Sequence, residues 1–418
     1  MQANGIAGAL VADNGADDLP QGPVFMSEAW QELWAHVIRE STRLGIEISL
    51  NIQSGAGDPG NPNIANNNGL KKIVHAQTTV SGPGRVERQL PMPPASDIFY
   101  QDVAVQAFKI PDNQNENDLK SHEKFPPIPA SAVLDLSANF KDGVLVWDVP
   151  DGDWRIIRHG MTATGKRNRY ASRGYRGGLS YDQMHTRGIR AQFSDVAEPL
   201  IEIARQNGTS LKYLHSDSWE MGHCDWTFGF EDAFQQRRGY AMQPFLPVLA
   251  GHTVESAAIS QRFLEDFRLT ISDLIVEANY EIFHDLAHQH GIYLHSESAG
   301  PHQPPVDGLR VLAVNDIPMG EAWARANTHR REEQRRMQVA LAASAANIYG
   351  KRFTAAEAPT TVGPDWERSP SEVKHVLDMR SSPCPMTSSC TCHCYGKSSS
   401  YCSRGWCWWA IHPSVLSG

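Results

Sequence analysis

Four short apolar runs in the second half of this chain lead into carboxylates. Residues 211–216 run into Asp217 and Glu220, and residues 292–296 into Glu297. Residues 313–320 carry Asp316 and reach Glu321, and residues 353–356 reach Glu357. Runs this short, rich in aliphatic and aromatic side chains, read as buried strands. In a parallel β/α barrel the C-terminal ends of all strands open onto one face. Acids repeated at those ends therefore converge in space although they lie far apart in sequence. Hydrolysis of a glycosidic bond needs such a set: one carboxyl to protonate the leaving oxygen, another to activate water or attack the sugar.

The texture around these runs supports a β/α barrel. Ser27 is a candidate N-cap for an amphipathic helix in which Trp30, Leu33, Trp34, Val37 and Ile38 repeat at helical spacing. Gly45 ends that helix, and residues 46–51 read as the next strand, so a parallel β-α-β unit is expected. The strongest helical pattern covers about 255–290. There Phe263, Phe267, Leu274, Ala278, Ile282 and Leu286 mark one apolar face, closed by Gly291. Further helices are expected at about 185–206 and 330–349. Between the barrel segments, residues 71–165 hold strand-like runs separated by Gly and Pro turns.

The expected fold is thus α/β: an incomplete (β/α)8 TIM-like barrel with an inserted all-β, sandwich-like domain. Residues 1–70 and 166–378 form the barrel and residues 71–165 the insertion. Residues 379–418 stand apart as a Ser/Cys/Trp-rich tail without a single acidic residue. It holds six of the chain's seven cysteines, with Cys224 alone in the body. A shifted reading frame produces such a composition, and a small cysteine-rich module is the alternative. Cys390, Cys392 and Cys394 alternate rather than follow the Cys-x-x-Cys spacing of zinc knuckles.

The net charge of -9 leaves no basic surplus to neutralise phosphates, which argues against nucleic acid. No apolar run is long enough to span a bilayer, and the first residues lack a signal peptide's basic start and long apolar stretch. His-Glu-x-x-His, phosphate-loop and Gly-x-Ser-x-Gly patterns are all missing. The chemistry therefore rests on the acids. Glu220 follows Trp219, and an aromatic neighbour suits a carboxylic acid to proton donation. Glu321 and Glu357 are its candidate catalytic partners. Asp217, Trp219, His215, His295, Glu297 and Asn51 are substrate-binding candidates, and Asp217 alternatively holds Glu220 or ligates a cation. His215 and His295 occupy equivalent positions just before strand-end acids; a satisfied histidine of the barrel rim is the alternative reading for both.

Across residues 5–378 the chain resembles glycoside hydrolase family 106, the α-L-rhamnosidases. The resemblance is carried by residues 26–30, 44–51, 99–105, 154–158 and 215–222, the last reading His-Ser-Asp-Ser-Trp-Glu-Met-Gly. It continues through residues 228–240, 316–321 (Asp-Ile-Pro-Met-Gly-Glu) and 344–351. It implies an inverting enzyme that releases terminal L-rhamnose from plant or microbial glycans, with a calcium ion near the sugar. It implies that Glu220 is the general acid and that Glu321 or Glu357 is the base. It also implies a carbohydrate substrate, no nucleic-acid or membrane partner, and a secreted or periplasmic location for a full-length parent. Against the family pattern, a first strand and helix are expected to precede Met1, and the tail stands where final barrel strands and further β-domains are expected. Two other readings are a catalytically inactive carbohydrate-binding remnant and a barrel hydrolase using a transition metal through His215, His295 and the acids.

Overall fold

The short runs that precede the acids do form strands, and the computed structural model shows how they align. It describes residues 7–11, 22–53, 60–111, 125–167, 178–298, 305–325, 334–361, 369, 371 and 390–393. In chain order the elements begin with β1 (Gly8–Val11), α1 (Glu28–Leu44) and β2 (Glu47–Gln53). Next come β3 (Lys71–Gln89), β4 (Tyr100–Lys109), β5 (Leu134–Asp135), β6 (Phe140–Lys141) and β7 (Val144–Ala163). Then follow α2 (Thr186–Gln192), α3 (Glu198–Gln206), β8 (Tyr213–Ser216), α4 (Phe230–Arg238), α5 (Leu246–Leu249) and α6 (Ala257–Ile275). The chain continues with α7 (Ile282–Gln289), β9 (Tyr293–Ser296), α8 (Gly308–Val314), β10 (Ile317–Arg325), α9 (Gln334–Ile348), β11 (Thr354–Thr361) and β12 (Cys390–His393).

These elements fall into two compact units. The first comprises residues 1–68, 166–222 and 273–418, the second residues 69–165 and 223–272. The first unit is built on a curled, half-barrel sheet of seven strands in the order β1-β2-β8-β9-β10-β11-β12. Every pairing in it is parallel. Spatial order follows chain order, as successive β-α-β crossovers of one hand produce. α1 behaves as its sequence suggests: the Ser27 side chain accepts from Trp30 N–H, and Gly45 closes the helix in the left-handed region at φ 65°. Trp34 and Ile38 are buried, and the Trp34 indole donates to Leu200 O at 3.3 Å, tying α1 to α3. Leu33, expected on the apolar face, lies on the solvent side instead. β12 comes from the anomalous tail; the rest of residues 379–418 falls outside the described residues.

The helix at 255–290 departs from expectation in an instructive way. A π-helical segment at Val276–Glu281 separates α6 from α7. A π turn accommodates one extra residue, so the buried stripe beyond it rotates by about one position. Phe283 and Ala287 are buried in place of the expected Ile282 and Leu286.

The second unit is built on a separate antiparallel sheet. Among the described residues it holds a single antiparallel sheet in the order β3-β7-β4-β5, with β6 also on β7. Trp154 and Ile156 on β7 belong to a core with Val80, Val105 and Trp147, while Ile157 faces the other way onto Phe108, Phe125, Ile128 and Ala250. Both faces are therefore apolar, and residues 223–272 supply cover that the barrel reading had taken for itself. Trp226, Phe230 and Phe267 pack there with centroids 4.8 and 5.2 Å apart in succession. Among the described residues no helix is long and apolar enough to cross a membrane.

His159, opposite His75 on β3, is fully buried in this second unit. Burial, reinforced by the like charges of His75 and His252, pushes its imidazole from 6.5 down to about 3. A folded value below the unfolded one means that the stability is fully present above pH 6.5. It is lost as pH falls toward 3, because the unfolded chain takes up the proton first. The slope from this one group is at most about 1.4 kcal/mol per pH unit. His159→Leu should therefore flatten the fall of the urea midpoint between neutral and acidic pH. An equally steep fall in the variant would place the responsible proton elsewhere.

Candidate active site

Parallel register sets the site. His215 pairs with His295 and Ser216 with Ser296, so Asp217 and Glu297 emerge at equivalent positions from neighbouring strands. Glu321 and Glu357 are likewise register partners on β10 and β11. Gly320 makes room for the layer behind them: a Cβ there would lie 2.5 Å from the backbone carbonyl oxygen of Gln338, so only glycine lets α9 press this closely on β10. The Gln338 side chain in turn accepts from the Glu321 N–H at 3.3 Å.

The outcome is a cluster in which carboxylate oxygens of Asp217, Glu297 and Glu357 all lie within 4.8 Å of one another. All three residues are buried. Asp217 is fixed by its own turn, its Oδ1 accepting from Ser218 N–H at 2.7 Å and its N–H donating to Asn51 Oδ1 at 3.3 Å. The Glu297 N–H donates to Ser216 O at 3.0 Å. Glu220 lies on the same turn as Asp217 and is half-buried; its Oε1 accepts from Ser218 Oγ at 3.3 Å, and its carbonyl oxygen accepts from Lys166 Nζ. A buried set of three carboxylates, with no imidazole or thiolate among them, offers the donor chemistry of a hard cation such as calcium rather than of zinc. The expected calcium thus has residues that fit it: Asp217, Glu297 and Glu357.

The histidines form a layer beneath the acids. His215 Nδ1 lies 3.0 Å from His295 O and 3.1 Å from His295 Nδ1, and His295 Nε2 lies 2.6 Å from Ser49 Oγ. With the proton on His215 Nδ1, the His295 Nδ1 accepts, and its Nε2–H donates to Ser49. Both rings are then neutral and engaged with the scaffold. His215 is 0% exposed and His295 5%. Trp219 is also fully buried, and its indole donates to Gln183 Oε1. Ser49, Gln183 and Lys166 carry no sequence signal, because each acts only through a partner far along the chain. Asp316, read with the strand-end acids, sits instead at the opposite, N-terminal end of β10. Of the Gly/Asn/Pro-rich stretch at 54–69, expected as a loop at the mouth of the barrel, residues 54–59 lie outside the described residues.

The burial of Trp219 makes a prediction. Trp219→Phe leaves Gln183 without its donor and should cost about 1–2 kcal/mol in urea unfolding while KM for an aryl glycoside stays unchanged. A raised KM with intact stability would instead put the indole on the substrate.

A family model described as alpha-L-rhamnosidase, glycoside hydrolase family 106, matches residues 1–124 and 106–382. A protein of Formosa agariphila named "Putative beta-glucuronidase" is 33% identical over 380 residues, covering 86% of this chain and 32% of that protein. The solved structure of a rhamnosidase from Novosphingobium sp. PP1Y shares the fold with a TM-score of 0.74 at 21% identity, covering 88% of this chain and 50% of that one. The chain thus spans about a third of the first relative and half of the second. With the family model matched over most of its length, the chain belongs to glycoside hydrolase family 106, the α-L-rhamnosidase family.

Proposed function

We propose that this chain carries the active site of an inverting α-L-rhamnosidase and that its half-barrel is part of a (β/α)8 barrel. The observation that carries the reading is the convergence of Asp217, Glu297 and Glu357 beside the turn that bears Glu220. Glu220 gives its proton to the leaving oxygen as the bond from that oxygen to the anomeric carbon breaks. A carboxylate on the other side takes a proton from water, whose oxygen bonds to the anomeric carbon from the opposite face. Glu357 is favoured over Glu321 for that role. Of the two, it is the one in the cluster within 4.8 Å of Asp217, three residues before Glu220.

Calcium held by the cluster would balance its charge and offer coordination to sugar hydroxyls. Asn51 and Ser218 keep the Asp217 turn in place for it. The name of the Formosa agariphila relative raises a glucuronide as a second substrate. A uronate brings a further negative charge to three buried carboxylates, so the neutral rhamnose is preferred on electrostatic grounds.

Turnover of an aryl α-L-rhamnoside and of an aryl β-D-glucuronide by the purified chain discriminates the two. Release of the phenol from the rhamnoside alone is expected. Glu357→Gln should lower kcat by at least roughly a thousandfold on every leaving group. Glu220→Gln should be nearly as damaging with an alkyl glycoside but much less so with a dinitrophenyl one, whose departure needs no proton. Equal losses on both would remove Glu220 as the acid. With no turnover of either glycoside, rhamnose binding by calorimetry would leave a sugar-binding remnant. Calcium added to chelator-treated protein should raise Tm, and Glu297→Gln should abolish that rise.

A further inference from the structure

A second convergence of ligating side chains lies at the other end of the same sheet. His284 and His288 sit four residues apart on α7, and Asp316 immediately precedes β10. Nε2 of His288 lies 2.9 Å from Asp316 Oδ2, and Nε2 of His284 lies 3.8 Å from Asp316 Oδ1. The two imidazoles lie with centroids 3.8 Å apart, tilted 35° to one another. One donor atom from each of the three residues falls within 4.8 Å of the others. We propose that His284, His288 and Asp316 bind one late first-row divalent ion, of the zinc, cobalt or nickel class, on the face of the half-barrel opposite the carboxylate cluster.

Distance and chemistry agree. Zinc bonds to imidazole nitrogen and carboxylate oxygen measure about 2.0–2.2 Å, so neighbouring ligands of a tetrahedral ion stand roughly 3.3 Å apart. The observed 2.9 and 3.8 Å bracket that spacing, and small side-chain rotations suffice to equalise them. Two imidazoles with one carboxylate select a borderline ion over calcium or magnesium. The ligands are oriented by further partners, as metal ligands usually are. His284 Nδ1 lies 3.3 Å from Asp285 Oδ1, which fixes the tautomer with Nε2 free to ligate. Asp316 Oδ2 accepts from Leu294 N–H at 2.7 Å, and Tyr293 packs edge-on against the His288 ring. The site is open to solvent, since the side chains are 25%, 39% and 20% exposed. An ion can enter, and water can complete its shell.

The π segment explains why this pair is available. By rotating the buried stripe onto Phe283 and Ala287, it brings the adjacent stripe of His284 and His288 to the sheet's edge. The bound ion clips α7 to the start of β10, across β9.

Cobalt reports on the site directly in chelator-stripped full chain. One equivalent should bind with weak visible d–d bands and without the intense near-ultraviolet absorption of cobalt–thiolate bonds, and should raise Tm. X-ray absorption at the cobalt edge of the unmutated chain should show two imidazoles and no sulfur. His284→Gln and His288→Gln should each remove the bands, while Asp285→Asn weakens binding roughly tenfold. Asp217→Asn should leave the bands unchanged. His288 is exposed enough for its variant to fold, which far-ultraviolet circular dichroism checks. Failure of wild type to bind, sulfur ligation alone, or unaltered bands in both histidine variants would each overturn the assignment.

Discussion

The site depends on one backbone relationship: the in-register parallel pairing of β8 with β9, where His215 meets His295 and Ser216 meets Ser296. A slip of one residue would send every side chain of one strand to the other face. Asp217 and Glu297 would then no longer emerge together. The side chains just below the acids reinforce this register. The contact of His215 Nδ1 with His295 O couples one strand to the next, and Ser49 extends the chain of contacts to β2. His215 and His295, offered by the sequence as substrate ligands, also link neighbouring strands through these contacts.

Bringing the acids together has an electrostatic cost. At an effective dielectric constant of about 20, two carboxylate charges less than 5 Å apart repel by roughly 3 kcal/mol or more. Three such pairs within one buried cluster amount to as much as the whole stability of a typical domain. The fold tolerates this only where part of that charge is balanced. The same crowding that would make the cluster reactive would also favour a bound cation, so acid–base function and metal affinity are expected to vary together there.

Asp217 and Glu297 were legible in the sequence because they stand directly after the short apolar runs of β8 and β9, whereas Glu321 and Glu357 lie inside β10 and β11, which run on to Arg325 and Thr361. The helix caps Ser27 and Gly45 were legible for the same local reason. What was not legible depends on non-local packing. Residues 223–272 share helical texture with the barrel, and nothing within them says that Trp226, Phe230 and Phe267 cover the antiparallel sheet's unit instead. The burial of Trp219 rests on Gln183, a partner invisible from its own neighbourhood. The π segment is the sharpest case. One residue's worth of extra winding turned a well-formed periodic face, ending in Ile282 and Leu286, into a face ending in Phe283 and Ala287.

That rotation has consequences for both ends of the sheet. β9 carries Leu294, whose N–H holds Asp316, and three residues later the chain reaches Glu297, roughly 10 Å further along the strand. β10 likewise starts just after Asp316 and carries Glu321 four residues on from Ile317. The histidine–aspartate cluster and the carboxylate cluster thus lie toward opposite ends of the sheet, linked through β9, which leads into Glu297. Each gathers a different ligand chemistry because the loops and helices that feed the two ends differ. Whatever fixes β10 against β9 at its start also fixes the register that Glu321 inherits at its end. A clip at the N-terminal face would therefore act on the acids through the strands, with no contact to the sugar at all.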